Sequence, residues 1–530
     1  MAQIQFKGKT FVQNHHLLVK YHQLVPVKSK SLTDKVSLHD NLIIHGDNLK
    51  ALKALLPLYA GKVKCIYIDP PYNTGNEGWK YNDNVTSPMM QEWLGKVVDR
   101  EDLTRHDKWL CMMTPRLKVL RELLSEEGVI FVSIDDMEAG KLRMLMDEVF
   151  GEERFLAQFC WQSRQNKDNR NVTGASIDHE YVLCYGKKIR GADRDLGQFK
   201  NPDNDKRGPW TSSNMVGLAT EKARPNLHYD LVNPETGIAY KKPKNGWRYN
   251  KARMKKLIEE KCILWPTDAS GRPREKVFLS EMDREFPGYS SIIGRNLFTR
   301  HGTDEMVEIF GEKTFEFPKP SELIKDLLIQ ATDENSIVLD SFAGSGPTAH
   351  AVLSLNSEEM GSRRFILIEC EDYADTLTAE RVRRVIKGVP KAKDEALRKG
   401  LGGTFSYFEL GKAIELSSIL DGDHLPTYEE LARYVFYTAT GEEFDDKAVD
   451  RKKHFIGESR LYQVYLFYEP DVERLKNMAF TLDHARALPP RKKDKRRLVF
   501  APTKYLDPEH LDEHRIDFAQ LPFEIYELTR

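Results

Sequence analysis

The stretch Ser336-Ile337-Val338-Leu339-Asp340-Ser341-Phe342-Ala343-Gly344-Ser345-Gly346, followed by Pro347-Thr348-Ala349-His350-Ala351-Val352-Leu353, decides the fold. Its opening is a short apolar run ending in an acid, the pattern of a buried strand. Two glycines in the turn let backbone approach a ligand closely, and proline suits the first position of a helix. Strand, glycine-rich turn and helix open a nucleotide-type α/β unit. About twenty residues on, Arg364-Phe365-Ile366-Leu367-Ile368-Glu369 reads as a second strand ending in an acid, the spacing at which such units accept hydrogen bonds from ribose hydroxyls. An acid that only ends a strand would look the same. No Lys-Ser/Thr pair follows the glycines, which excludes a P-loop, and the full G-x-G-x-x-G spacing is absent. The loop therefore suits a non-phosphorylated adenosine ligand, with S-adenosyl-L-methionine as the candidate cofactor.

Far upstream, the apolar run Cys65-Ile66-Tyr67-Ile68 leads into Asp69-Pro70-Pro71-Tyr72. The prolines fix their own φ and carry no N–H, so the turn is rigid and the Pro70 carbonyl is left as an acceptor. Asp69 supplies a second acceptor and Tyr72 a flat face, a set that can hold the exocyclic amino group of a planar base. On its own the four-residue string also fits a tight strand-to-loop turn.

Further segments extend the pattern: His45-Gly46-Asp47-Asn48-Leu49, Asn73-Thr74-Gly75, Lys80-Tyr81-Asn82-Asp83, the run from Gly128 to Asp136, Phe317-Pro318-Lys319-Pro320, and Leu521-Pro522-Phe523-Glu524-Ile525-Tyr526. In these motifs and their order the chain resembles the β-class amino-group DNA methyltransferases, whose catalytic motif precedes the cofactor motif. Within that class it is most similar to the modification (Mod) subunits of type III restriction–modification systems and to site-specific adenine-N6 DNA methyltransferases. The resemblance implies an α/β, Rossmann-like S-adenosylmethionine-dependent fold of permuted motif order, with an inserted target-recognition domain and a small C-terminal α/β appendix. It makes Asp69, Pro70, Pro71 and Tyr72 catalytic, with Tyr72 and Asn73 contacting the substrate base. It assigns cofactor binding to Asp47, Lys319, Asp340, Phe342, Ala343, Gly344, Ser345, Gly346 and Glu369. Asp47 would contact the cofactor adenine, and Lys319 precedes a helix packed beside the methionine end. The loop from Asn73 to Val85 would close over the base. Pro347 stands where the family usually has threonine.

The implied reaction is transfer of a methyl group to N6 of an adenine flipped out of duplex DNA, in a restriction–modification or phage-defence setting. The direct displacement needs no cysteine nucleophile and no metal. Two alternatives remain open: cytosine-N4 methylation, which usually has serine at the position of Asp69, and a non-catalytic DNA-recognition subunit. Implied partners are double-stranded DNA, a second copy in a homodimer, and a separate restriction subunit carrying the helicase and nuclease.

Composition is compatible with this. The 530 residues carry 80 Lys+Arg against 81 Asp+Glu, a net charge of −1. Residues 161–300 alone hold 27 Lys+Arg against 17 Asp+Glu, a surplus of +10 where a nucleic-acid surface is expected. Within them Lys241, Lys242, Lys244, Trp247, Arg248 and Tyr249 mix base and aromatic, as a phosphate-binding and stacking surface or an ordinary one would. The six cysteines are scattered without a Cys-x-x-Cys pair, so no disulfide framework or zinc site is expected. No 18-residue apolar run marks a membrane span, and Met1-Ala2-Gln3-Ile4-Gln5 is unlike a secretory leader, which points to the cytoplasm. The expected organisation is a lead-in over 1–40, a catalytic half over 41–160, and a target-recognition insert over 161–300 with a closing strand near 179–186. A cofactor half over 301–400 and an accessory domain over 401–530 complete it. Expected helices include Leu49–Leu56 capped by Asn48, Trp109–Glu126, Met137–Phe150, Glu322–Gln330, Thr378–Lys387 and Asp471–Leu488.

Overall fold

The computed structural model describes residues 3–72, 105–167, 174–192, 195–282, 288–413, 425–471, 474–475, 478–492 and 494–521. Asn73, the loop to Val85 and Pro522 to Tyr526 lie outside the described residues.

Ten strands form the central sheet: β1 (His22–Pro26), β2 (Leu42–His45), β3 (Val63–Ile68), β4 (Leu124–Ile134), β5 (Phe155–Trp161), β6 (Glu180–Gly186), β7 (Ile292–Ile293), β8 (Ile337–Asp340), β9 (Arg364–Glu369) and β10 (Ser406–Ala413). Their spatial order is β1-β10-β2-β9-β8-β3-β4-β6-β5-β7. The middle is parallel: β8 pairs with β9 on one side and with β3 on the other, Val338 opposite Cys65 and Leu339 opposite Ile66. Parallel strands are covered on both faces, which is why Cys65, Ile66, Ile68, Val338 and Leu339 are all fully buried. The strand expected to close the sheet lies inside it, because β6 runs antiparallel between β4 and β5 and β7 lies beyond β5.

Helices pack on the sheet with their apolar faces. In Asn48–Tyr59, Leu52 and Leu55 are wholly buried, each adding about 2 kcal/mol of hydrophobic stabilisation. The cap of this helix is Asp47 and not Asn48: the Asp47 carboxylate accepts from Lys50 N at 3.0 Å. Asn48 is buried and bridges elements, donating to Ser341 O at 3.1 Å and accepting from Arg116 Nε at 2.6 Å. Further helices include Arg105–Leu123, Ala139–Phe150, Thr299–Phe310, Ser321–Ala331, Pro347–Glu359, Glu380–Lys387 and Tyr428–Thr440.

Residues Arg190–Tyr289 gather into a compact unit of their own; Met1–Ile189 with Ser290–Arg530 make the other. The smaller unit is narrower than 161–300 because β5, β6 and β7 belong to the central sheet. It has an antiparallel sheet of Ile263–Leu264, Arg274–Phe278 and Trp210–Asn214 and a core including Met215, Trp247, Leu257 and Phe278. Its sequence carries 20 Lys+Arg against 14 Asp+Glu, a surplus of +6. In the basic–aromatic cluster there, Lys241, Lys242, Lys244 and Arg248 are exposed and Trp247 is not. Trp247 is core, Lys241 pairs with Asp230 at 2.8 Å, and Lys242 pairs with Glu221 at 2.6 Å.

Past residue 400, Ser406–Ala413 still belongs to the central sheet, so a separate arrangement starts only after it. There β11 (Phe455–Glu458), β12 (Tyr462–Leu466), β13 (Arg496–Ala501) and β14 (Ile516–Gln520) form a four-stranded sheet. The single helix expected over Asp471–Leu488 is not continuous: Phe480–Thr481 is a short strand, and Thr481 caps the helix Leu482–Ala487 by accepting from His484 N. All six cysteines are free. Among the described residues no helix is long and apolar enough to cross a membrane.

Candidate active site

Adjacent parallel strands deliver the two motifs to one edge of the sheet. β3 ends in Asp69-Pro70-Pro71-Tyr72 and β8 in the loop Asp340–Gly346. Ligands of open α/β sheets bind beyond the carboxyl ends of such strands. Here a cavity of about 870 Å³ is lined by Asp69, Pro70, Pro71 and Tyr72 from the first turn, and by Asp340, Phe342, Ala343, Gly344 and Ser345 from the second. Lys319, Glu180 and Asp135 add to the wall. The volume lies within the range of small-molecule sites. Its carboxylates suit a cationic ligand, and its exposed glycine-loop backbone suits a flat nucleoside. The residues present therefore fit S-adenosylmethionine.

The proline turn is held from behind, where Trp109 Nε1 donates to Pro71 O at 2.6 Å. Across the cavity, Lys319 Nζ donates to Asp69 Oδ1 at 2.9 Å and Oδ2 at 2.8 Å, and to the Tyr72 hydroxyl at 2.7 Å. The Tyr72 hydroxyl in turn donates to Glu180 Oε2 at 2.8 Å, and that same oxygen lies 3.2 Å from Lys319 Nζ. Burial disfavours the ammonium, but Asp69 and Glu180 outweigh it and hold the Lys319 pKa above its usual range. Burial, then Asp69 and Glu180, push the Tyr72 phenol well above its ordinary value, so it stays neutral. Lys319 thus reaches the Asp69–Tyr72 turn itself, a contact that its expected place in the cofactor set did not include. Glu180 was read only as part of a strand; an acid at the inward end of that strand is the one signal that could have marked it.

The glycine loop is fixed by its own acids. Gly344 and Gly346 have φ of 51° and 78°, conformations that favour glycine. Asp340 Oδ1 accepts from Phe342 N at 3.0 Å and Oδ2 from the Thr348 hydroxyl at 2.5 Å. Pro347 starts the helix, and Thr348 bonds to the acid. Glu369 Oε2 accepts from Gly344 N at 2.7 Å, while Oε1 accepts from Cys370 N at 2.9 Å and Glu371 N at 3.1 Å. Its carboxylate thus braces the loop backbone, and Glu369, Asp47 and Gly346 do not line the cavity. Behind the loop Arg381, fully buried, reaches Ser345 Oγ at 3.2 Å and Glu305 Oε2 at 2.8 Å. Removing either member of such a pair costs about 3–5 kcal/mol. Sequence reading missed both residues, since an arginine in a charge-rich helix looks like a solvated one.

Burial pushes Asp340 up to about 7 from 3.8, with Asp69 adding to the rise despite its hydrogen bonds. A folded-state pKa above the unfolded one means the folded chain keeps a proton that the unfolded chain has lost. The contribution to stability is complete below about pH 4 and lost as pH rises towards 7. Thermal melts of the cofactor-free protein should therefore show a midpoint that falls across this window. Asp340→Asn should have a shallower fall, and an unchanged slope would remove Asp340 as its source.

A sequence profile described as DNA methylase, of the N6/N4 type, matches residues 63–380. The Mod subunit of the type III restriction-modification enzyme StyLTI of Salmonella typhimurium is 32% identical over 438 residues, 76% of this chain and 65% of its own length. The EcoP15I Mod subunit of Escherichia coli is 32% identical over 390 residues, 63% of this chain and 58% of its own. The type II methyltransferase M.KpnI of Klebsiella pneumoniae is 32% identical over 352 residues, 61% of this chain and 79% of its own. This chain belongs to the N6/N4 DNA methylase family. It spans just under two thirds of the StyLTI Mod subunit and less of the EcoP15I one.

Proposed function

We propose that the chain transfers the methyl group of S-adenosyl-L-methionine to the N6 amino group of an adenine flipped out of duplex DNA, as the modification component of a restriction–modification system. The observation that carries this reading is the shared cavity: the acceptors of Asp69-Pro70-Pro71-Tyr72 and the glycine loop face one space. Asp69 and the Pro70 carbonyl accept hydrogen bonds from the two amino N–H groups, which favours a pyramidal nitrogen with an exposed lone pair. The Tyr72 ring stacks on the base, a contact worth about 1–3 kcal/mol. When bound, S-adenosylmethionine would supply an electrophilic methyl on a sulfonium, leaving as S-adenosylhomocysteine while the amino nitrogen gives up one proton; residues Asp340 to Gly346, braced by Glu369, would hold it, with Asp47 as a further contact. The proline turn sets the angle of attack, so orientation does much of the work. A base inside a duplex cannot reach this geometry, hence the flipping.

Analysis of nucleosides from duplex DNA treated with the protein and labelled S-adenosylmethionine tests the reading. N6-methyl-2′-deoxyadenosine is the expected product. N4-methylcytosine as the sole labelled base would move the chain to the cytosine branch, and no label in DNA would leave it a recognition subunit.

Site choice resides in the insert, residues 190–289 by its compact limits, since the chemistry is the same at every adenine. Good base-edge contacts discriminate by roughly 1–3 kcal/mol each. Replacing that segment with its counterpart from a related enzyme should move the methylated sequence while leaving the methylated atom as it was. An active chimera with the original site would place recognition elsewhere, and residues 414–530 would become the leading candidate. Asn73 as a base contact, a homodimer, a separate restriction subunit and a cytoplasmic setting belong to the same reading.

A further inference from the structure

The carboxylate meant to hold the target amino group already holds one. Both oxygens of Asp69 accept from Lys319 Nζ, in a fork of 2.9 and 2.8 Å. The same ammonium lies 4.8 Å from the Tyr72 ring centroid, at the hydroxyl end of the ring, and donates to that hydroxyl at 2.7 Å. Lys319 is 7% exposed, and the Asp69 and Glu180 side chains 26% and 19%, so this is a built arrangement with an open side and not a chance surface pair. An incoming amino group is a donor, and Lys319 is a donor as well. The two cannot converge on the same acceptor lobes without placing hydrogen against hydrogen. A second anion is already at hand: Glu180 Oε2, 3.2 Å from Nζ and bonded to the Tyr72 hydroxyl.

We propose that Lys319 occupies the amino-group subsite of the substrate-free protein and that Glu180 is the positioning residue that takes over its ammonium when the base enters. The inference rests on the amino-methylation reading given above. Rotation about the last bonds of the lysine side chain carries Nζ from the Asp69 fork towards Glu180 without any change of protonation. The charge never goes unpaired, which avoids the large penalty of an orphaned buried ion. Asp69 is then released to the base, and Tyr72, still tied to Glu180 through its hydroxyl, keeps its ring in place. Until the base arrives, the Lys319 ammonium keeps Asp69 from standing as a bare anion beside the cofactor loop.

The test is a double-mutant cycle on duplex DNA whose methylated position has been mapped with the wild-type protein. Glu180→Gln removes the receiving charge but keeps an acceptor for the Tyr72 hydroxyl; kcat/KM should fall about 10- to 100-fold. Lys319→Met should lower KM for DNA, and should tighten DNA binding measured by fluorescence anisotropy without turnover, because no resident group has to leave. The combined variant should be at least about tenfold more active than Glu180→Gln alone, since nothing then needs to be received. Folding of each variant is checked by calorimetric titration with S-adenosylhomocysteine. If Glu180→Gln does not fold, Glu180→Asp with and without Lys319→Met asks the same question. A combined variant no better than the single one would overturn the proposal and leave Glu180 a support for Tyr72 only. A wild-type protein that labels no DNA would instead overturn the amino-methylation reading, and the inference with it.

Discussion

Asp69→Ala is expected to lower methyl transfer to DNA by about 10³-fold or more, with binding of S-adenosylhomocysteine nearly intact. The loss is large because the carboxylate acts on the reacting nitrogen itself, where a single preorganised partner is worth about 10²- to 10³-fold, and because no neighbour can replace it. The Pro71 carbonyl is already taken by Trp109. Glu180 is committed to the Tyr72 hydroxyl and to Lys319. Folding should survive the change, since Lys319 keeps Glu180 and Tyr72 as partners and is not left an unpaired buried charge. Radiolabel transfer and calorimetry on the same preparation separate the two quantities. Substantial transfer by the alanine variant would mean that Asp69 is not the acceptor.

Gly344→Val is expected to weaken S-adenosylhomocysteine binding by about 10²-fold or more, roughly 3 kcal/mol or above. Gly344 has φ of 51°, a region where a β-branched residue is strained by about 1–3 kcal/mol. Its N–H is held by Glu369 and its carbonyl accepts from the Thr378 hydroxyl at 2.6 Å, so the loop cannot relax without giving up both. The branched side chain would also fill the space that close approach of ligand to backbone needs. Gly344→Ala, with a smaller side chain and less strain, should lose less. Wild-type affinity in the valine variant would show that the cofactor contacts a different loop.

Which parts were legible in the sequence follows from what each residue does locally. β3, β8 and β9 can be read because both of their faces are buried, giving unbroken runs such as Ile337-Val338-Leu339. The strands at the opposite edge cannot. His22–Pro26 is half exposed and ends in proline, and Ser406–Ala413 carries Glu409, Gly411 and Lys412 among its apolar residues. Their pairing with each other, His22 opposite Ala413, is set by segments far apart in sequence meeting in space. The site divides in the same way. The Asp69 turn and the glycine loop are contiguous motifs whose chemistry is written in order. Lys319 and Asp69 are 250 positions apart, and no local pattern states that one reaches the other. The sequence points to Asn48 as the helix cap; Asp47 takes that place, because its backbone geometry brings its carboxylate to Lys50 N.

The order of strands in the sheet also bears on how the protein is made. β3 and β4 can pair soon after they leave the ribosome, but β2 pairs only with β9 and β10, which begin at Arg364 and Ser406. At about 5–20 residues per second the nascent chain carries Leu42-Ile43-Ile44 with both edges unpaired for roughly 15–60 s. Unpaired apolar edges are templates for association with other chains. Any translation product that stops before β9 lacks the partner of β2 altogether, so truncated chains should collect in aggregates, and full-length yield should depend on chaperones that shield this strand until its neighbours are synthesised.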